Sequence, residues 1–468
     1  MVLSQARVKR GVSGPAGVPL WTDSRPDMSR RPALPGSTSA DVAIVGAGFT
    51  GLWTAYYLLQ QDPDLKVVLL EREYAGFGAS GRNGGWCSAI FPVSLERVRK
   101  LYSHHAALEL QKAMNATVAE VGRVASAESF DCDFSPAGFV SLARSAAQLA
   151  RARATVSGTE AFGVQGQWQL LDKEEAQARI HADGVLGALF TPHCALLDPD
   201  KLVRSLASWL EKHGARIFED TAVTDFGKGF VRTERGTVDA KVVVRATEAF
   251  TPQFAAYRRH VAPLYSLVVA TEPLPEELRR RLRLDSRMAF NDMRNLRIYA
   301  HPTADGRLVF GGRGAPYHFG SKVSSVFDVD AQIHSKIIDT MCEFFPELNG
   351  VGITHRWGGP LGVPRDWFPS IGYDRDAGMA WAGPYVGDGV ATSNLAGRIL
   401  RNLITGRGDE LNDLPVVNHN SPRWEVEPLR WVGVNAGLRA ATVADLEERL
   451  TGRPSRVSAL LEKLTGAH

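Results

Sequence analysis

An excess of charge of one sign is missing from this chain: 54 Lys and Arg stand against 51 Asp and Glu, a formal net charge of +3 over 468 residues. That balance favours neither nucleic acid nor an acidic membrane as a partner. The one basic cluster, Arg279-Arg280-Arg281 with Arg283, reads as a solvated helix face. Cysteine is scarce too. Cys87, Cys132, Cys194 and Cys342 lie far apart without a C-x-x-C, so neither a zinc site nor a disulfide framework is indicated. His193 beside Cys194 has no companion at ligand spacing and reads as structural, so no metal is expected. No Ser-His-Asp pattern occurs, and nothing repeats at a solenoid period. There is no N-terminal apolar signal-type segment and no apolar run of membrane-spanning length, which leaves a cytoplasmic location as the default expectation.

Glycine, by contrast, is abundant and placed. Asp41-Val42-Ala43-Ile44-Val45 runs into Gly46-Ala47-Gly48-Phe49-Thr50-Gly51, an apolar helix follows, and Val67-Val68-Leu69-Leu70 ends in Glu71. This strand, G-x-G-x-x-G turn, helix and acid-terminated strand make a dinucleotide-binding pattern. Gly46 permits the tight turn, Gly48 lets backbone approach a pyrophosphate, and Gly51 lets helix and strand pack closely. The helix N-terminus offers N–H groups and a positive dipole end to phosphate, with Ala47 and Thr50 in the same turn. Glu71 can accept hydrogen bonds from adenosine ribose hydroxyls. The motif does not choose between NAD and FAD, and Arg72 raises the NADP reading slightly.

Two further glycine-rich turns follow. Gly76-Phe77-Gly78-Ala79-Ser80-Gly81-Arg82-Asn83-Gly84-Gly85 can lie flat against a large ligand while Ser80, Arg82 and Asn83 supply donors. Gly383-Pro384-Tyr385-Val386-Gly387-Asp388-Gly389-Val390 leads directly into a helix. Around these motifs, residues 1–40 read as an extended arm pinned in part by Leu20 and Trp21. Leu95 to about Ser126 has helical spacing, Asp198-Pro199 caps a helix over Lys201–His213, and Asp305-Gly306 marks a hairpin in a strand-rich block from Val261. Nucleotide-domain texture appears at the start, in the middle and again from Ile353. The pattern predicts a discontinuous two-domain α/β protein.

Five pieces of sequence carry a family likeness: the Gly46–Gly51 fingerprint with Glu71, the Gly76–Gly85 turn, Arg356-Trp357-Gly358-Gly359-Pro360, Asp366-Trp367-Phe368-Pro369-Ser370-Ile371-Gly372, and the Ala382–Val390 turn. Together they resemble the glycine oxidase/D-amino-acid oxidase-type FAD-dependent oxidoreductases, most nearly the γ-glutamylputrescine oxidase-like branch, from about Leu20 to about Gly406. The resemblance implies a discontinuous Rossmann-like FAD-binding domain (40–100, 185–260 and 351–406) with an inserted antiparallel-sheet substrate domain (101–184 and 261–350). An arm (1–39) and a helical tail (407–468) flank them.

By the same resemblance, the fingerprint and Arg72 hold the ADP half of FAD, and Gly78, Ala79, Ser80, Arg82, Asn83, Gly84 and Gly85 follow the pyrophosphate and ribityl chain. Val223 contacts the adenine side. Ala246-Thr247 forms a small-residue turn near the cofactor. Gly383, Gly387, Asp388, Gly389 and Val390 sit at the flavin's pyrimidine end. Relatives that attach flavin covalently do so through a Cys or His that this chain lacks at those places, so non-covalent FAD is expected.

The implied reaction is oxidation of the C–N bond of a small amine or amino acid by hydride transfer to flavin N5, with O2 or another electron acceptor as partner. Tyr265, Arg297, Tyr299, Arg313 and Tyr385 are the substrate-contact candidates, with Arg365 beside them. Arg82 is a candidate for oxygen activation. A 2-hydroxy-acid dehydrogenase, an NAD(P) enzyme using only the first motif, and a flavoenzyme acting on a carrier-bound or macromolecular amine remain open alternatives.

Overall fold

The computed structural model describes residues 16–23, 29–312 and 314–465, with side chains to 460. Arg313 and most of the arm therefore lie outside the described residues.

Three apolar runs build the centre of the first sheet. Thr38–Val45, Gly236–Arg245 and Val67–Leu70 pair in parallel, with Ile44 opposite both Val244 and Leu69. Arg216–Phe218 extends one edge, and Met379–Ala382 followed by Ile371–Asp374 extends the other. Near-continuous hydrophobic strands require cover on both faces. Helices Phe49–Gln61, Pro199–Lys212 and Gly389–Thr405 bury Val42, Ile44, Leu69 and Val244 on one side. The hairpin Val223–Gly227/Phe230–Thr233 and Leu34 cover Ala43, Val45, Val68 and Val243 on the other. Asp198 caps its helix as expected, accepting from the N–H of Asp200 and Lys201 at 2.9 and 3.0 Å.

The second sheet has eight strands in the order Ile353–Val363, Ala262–Thr271, Leu308–Gly312, Ile298–Pro302, Ala289–Asp292, Phe139–Ala143, Gly187–Thr191, Gln169–Leu171. Only Ala289–Asp292 with Phe139–Ala143 is parallel. Its apolar face, with Val140, Leu267, Val269, Phe290 and Phe310, packs on Ile337, Met341 and Phe344 of helix Ala331–Phe344. The Asp305-Gly306 hairpin is present, with Gly306 at φ +83°.

Two strands depart from the sequence-based division. Gly187–Thr191 and Ile353–Val363 fall in spans assigned to the nucleotide-binding half, yet they hydrogen-bond into the second sheet. A short apolar run records that it is buried but not against which sheet. Both runs thus extend the second sheet, Ile353–Val363 at one edge and Gly187–Thr191 next to the other.

The described parts of the arm and the tail are both tied down. Trp21 is buried with Val268, Ala270, Val309 and Trp357, and its indole N–H donates to the Asn83 carbonyl at 2.8 Å. The tail forms helices Leu429–Thr451 and Arg456–Thr465. Asn435 brackets Tyr317, donating to its carbonyl and accepting from its N–H, both at 3.0 Å. The Asp445 carboxylate accepts from the backbone N–H of Asn295 and Leu296 at 2.7 and 3.0 Å.

Candidate cofactor and substrate site

At the C-terminal edge of the parallel strands, a single cavity with about 1150 Å³ of space, its open mouth included, runs across the first sheet. Its far end is walled by Glu71, Arg72 and Val223, its middle by Gly46, Gly48, Thr50, Gly78, Ala79, Ser80, Asn83, Ala246 and Thr247, and its other end by Tyr385, Gly387, Gly389 and Val390.

The glycines are sterically required. A Cβ on Gly46, at φ +107°, would lie 2.6 Å from the Ala246 carbonyl oxygen, and one on Gly51 would lie 2.1 Å from that of Gly46. A Cβ on Gly48 would meet the Ser80 hydroxyl at 2.9 Å. Ser80 Oγ accepts from the Phe49 N–H at 2.8 Å, fixing the second glycine turn against the first helix N-terminus. Glu71 accepts from the N–H of Ala47 at 2.9 Å and of Glu73 at 3.1 Å, and burial raises its pKa.

Helices Phe49–Gln61 and Gly389–Thr405 both begin at the cavity, so two positive dipole ends face it from different points. Such a wall suits a long ligand with a central pyrophosphate and a second polar end. Glycine cradles, paired helix N-termini and a terminal acid fit FAD.

The remaining candidates occupy other places. Ala47 and Gly51 act from behind the wall. Gly84 packs on the Tyr299 ring and Gly85, at φ +68°, on the Leu197 carbonyl. Gly84's carbonyl accepts the Nδ1 proton of buried His301, whose pKa falls to about 4 because burial disfavours its charged form. Gly383 donates to the Ser370 carbonyl, and Asp388 sits at the N-cap of the last helix.

Arg82 reaches away from the cavity wall. Its guanidinium donates to Asp328 Oδ2 at 2.7 Å and to the carbonyls of Phe77 and Gly358. Burial lifts the Asp328 pKa to about 6 against the opposing pull of Arg82. Tyr265 is buried in the second sheet, its hydroxyl between the N–H and carbonyl of Ser324, and burial pushes its pKa up to about 12. The Tyr299 hydroxyl lies 3.2 Å from Ser266 Oγ. Arg297 is exposed, and Arg365 pairs with Glu425 at 2.9 Å. Arg313 falls outside the described residues. Tyr385 does line the cavity, sharing a 2.9 Å hydrogen bond with Thr50.

Sequence reasoning missed Glu248, Pro360 and Leu361 in the wall. Glu248 follows Ala246-Thr247 at φ +40°, a conformation costly for a non-glycine residue. Its carboxylate accepts from the Gly362 N–H at 2.8 Å and the Tyr385 N–H at 3.4 Å, joining the second sheet to the last glycine turn. Burial raises its pKa from 4.5 to about 7. Because the folded-state pKa is raised, the folded chain keeps a proton that the unfolded chain releases. Its contribution to stability is thus complete below pH 4.5 and lost as pH rises to about 7. Glu248→Gln is expected to flatten this slope. The melting temperature of wild type relative to the variant should fall between those pH values in a fluorimetric series, and parallel curves would refute it.

Comparison with known proteins agrees with the geometry. The model of the "FAD dependent oxidoreductase" family matches residues 41–403. The chain is 32% identical to the gamma-glutamylputrescine oxidoreductase of Escherichia coli over 390 residues, covering 81% of this chain and 87% of that protein. Its fold resembles glycine oxidase from Bacillus cereus, with TM-score 0.67, 19% identity and coverage of 83% and 99%. It also resembles L-proline dehydrogenase from P. horikoshii, with TM-score 0.66, 20% identity and coverage of 82% and 96%. With a Rossmann-like sheet, an opposed mostly antiparallel sheet and a cavity built for FAD, this chain belongs to the FAD-dependent oxidoreductase family and is a flavoenzyme.

Proposed function

We propose that the chain oxidises the C–N bond of a small amine, with FAD held non-covalently. The observation that carries this reading is the chemistry of the wall where the two sheets meet. Pro360 and Leu361 of the second sheet line the cavity with Tyr385, Gly387 and Gly389 there, a mostly apolar setting in which the Glu248 carboxylate is engaged by the N–H groups of Gly362 and Tyr385. Bound FAD supplies hydride acceptance at that end.

The chain's own part is alignment and desolvation. Backbone at Gly387 and Gly389 and the helix N-terminus behind it favour negative charge on the cofactor's pyrimidine end. Leu361 lines this end of the cavity with hydrocarbon, and low polarity there favours the neutral amine over the charged ammonium. Among the described residues, the sole cation lining the cavity is Arg72, at the adenosine end. That favours an amine over a 2-hydroxy acid, which needs a clamp for its carboxylate. Arg313 is the remaining candidate for such a clamp. Among the described residues no group of His, Cys, Asp or Glu could hold a metal, and no helix is long and apolar enough to cross a membrane.

The test is anaerobic bleaching of the bound flavin by amines, amino acids and 2-hydroxy acids. Amines are expected to bleach it and hydroxy acids to leave it coloured; the reverse order overturns the reading. Admitting air then assigns O2 or another carrier as the electron acceptor. Flavin released into the supernatant on acid precipitation is the expected sign of non-covalent binding.

A further inference from the structure

Arg245 ends the strand Gly236–Arg245, paired between Trp381 and Val45, the last residue before the Gly46 turn. It is only 8% exposed, and among the described residues no Asp or Glu pairs with it. Its guanidinium lies over the Tyr257 ring at 4.8 Å and donates one hydrogen bond, to Thr251 Oγ1 at 3.1 Å. Burial lowers its pKa, opposed only by Tyr257 and Tyr385. His260 brings no negative charge, since burial, Arg245 and Arg423 all lower its pKa. A buried cation without a counter-charge is costly, so its presence here calls for an anion within electrostatic reach.

The path to one runs through two hydroxyls. Thr251 is fully buried, and its Oγ1 lies 2.8 Å from Oγ1 of Thr247, a residue of the cavity's middle wall with Gly46, Gly48 and Ser80. A guanidinium can only donate, so Thr251 accepts from Arg245. Among the described residues Thr247 Oγ1 is the one acceptor in reach of the Thr251 hydroxyl proton, and a buried hydroxyl keeps its proton paired. Thr251 therefore donates to Thr247, which is left with its own proton to give to the cavity it lines.

We infer that Arg245, Thr251 and Thr247 form a one-way donor chain toward the pyrophosphate of FAD, with Thr247 as the contact residue and Arg245 as the positioning residue behind it. The Gly46–Gly51 turn holds no basic residue, so its N–H groups and helix dipole supply partial charges only. Arg245 adds a whole charge from behind the wall, and the two hydroxyls pass on its polarisation.

The experiment dilutes the FAD-loaded full chain and follows flavin fluorescence, which reports dissociation. Thr247→Val is expected to weaken FAD binding about tenfold or more, the worth of one hydrogen bond to a charged group. Thr247→Ser, which keeps the hydroxyl, should restore it. Arg245→Met should weaken binding by a similar factor, and the double variant should fall well short of the product of the two losses, because either change cuts the same chain. Phosphorus NMR of the bound cofactor should show the same pyrophosphate resonance displaced in both single variants. Thr251→Val, which cuts the chain in the middle, takes the place of Arg245→Met if that variant does not fold. Unchanged affinity in Thr247→Val, no recovery in Thr247→Ser, losses that multiply in the double variant, or undisturbed phosphorus resonances overturn the chain.

Discussion

Gly51→Ala is expected to purify without flavin. A methyl group there would sit 2.1 Å from the Gly46 carbonyl oxygen and 3.1 Å from Ile44 Cγ2, and the nearer atom is backbone that cannot rotate aside. The first helix must then lift from its strand. That movement meets resistance from behind, because Gly397 of the last helix already lies so close that a Cβ on it would be 2.8 Å from the Trp53 carbonyl carbon. Overpacking of this kind costs about 1–3 kcal/mol. The cofactor cost is larger, since the same shift moves the helix N-terminus away from the phosphate position and pulls the Phe49 N–H from Ser80. Visible absorbance relative to protein absorbance after desalting measures it. Gly158→Ala, in open space on helix Ala146–Ala161, should keep its flavin. Full flavin content in Gly51→Ala would show that the turn tolerates what its geometry forbids.

Arg82→Met is expected to cost about 3–5 kcal/mol in unfolding free energy, the usual penalty for removing one partner of a buried ion pair. Side-chain exposure is 10% for Arg82 and 7% for Asp328, so the orphaned carboxylate has little access to water. The variant also loses two hydrogen bonds to the Phe77 and Gly358 carbonyls and the stacking of the guanidinium on Phe77. Arg82→Met with Asp328→Asn should recover much of the loss, because no unpaired charge then remains. Urea unfolding of the single and double variants checks this. A single variant within 1 kcal/mol of wild type, on the scale of an exposed pair, would mean that the pair is worth little. The oxygen-activation idea is tested in the same preparation, by comparing the rates at which reduced flavin reoxidises in air.

What the sequence revealed and what it hid follow from the range of the interactions. Gly46 and Gly51 were legible because each answers a steric demand made within a few residues, and Asp198 was legible as a cap for the same reason. Asp328 was not, since only the fold brings it to Arg82 across the two halves. Glu248 reads along the chain as an ordinary acid after a small-residue turn; its role depends on N–H groups of Gly362 and Tyr385, more than a hundred residues away. Arg297 was a reasonable clamp by residue type, but its position beside the hairpin strand leaves it exposed. Gly187–Thr191 and Ile353–Val363 lie in spans given to the nucleotide-binding half yet pair into the second sheet, because pairing is a long-range choice that local hydrophobicity does not encode.

Trp21 has a consequence for the order in which this protein is made. It is among the first of the described residues to leave the ribosome, yet its seat is formed by Val268, Val309 and Trp357. At about 5–20 residues per second, that seat is completed only on the order of tens of seconds later. Until then the indole has no apolar shelter, and the Asn83 carbonyl that it holds lacks this support. The Gly76–Gly85 strip of the cradle therefore gains this support only once the chain has been made as far as Trp357.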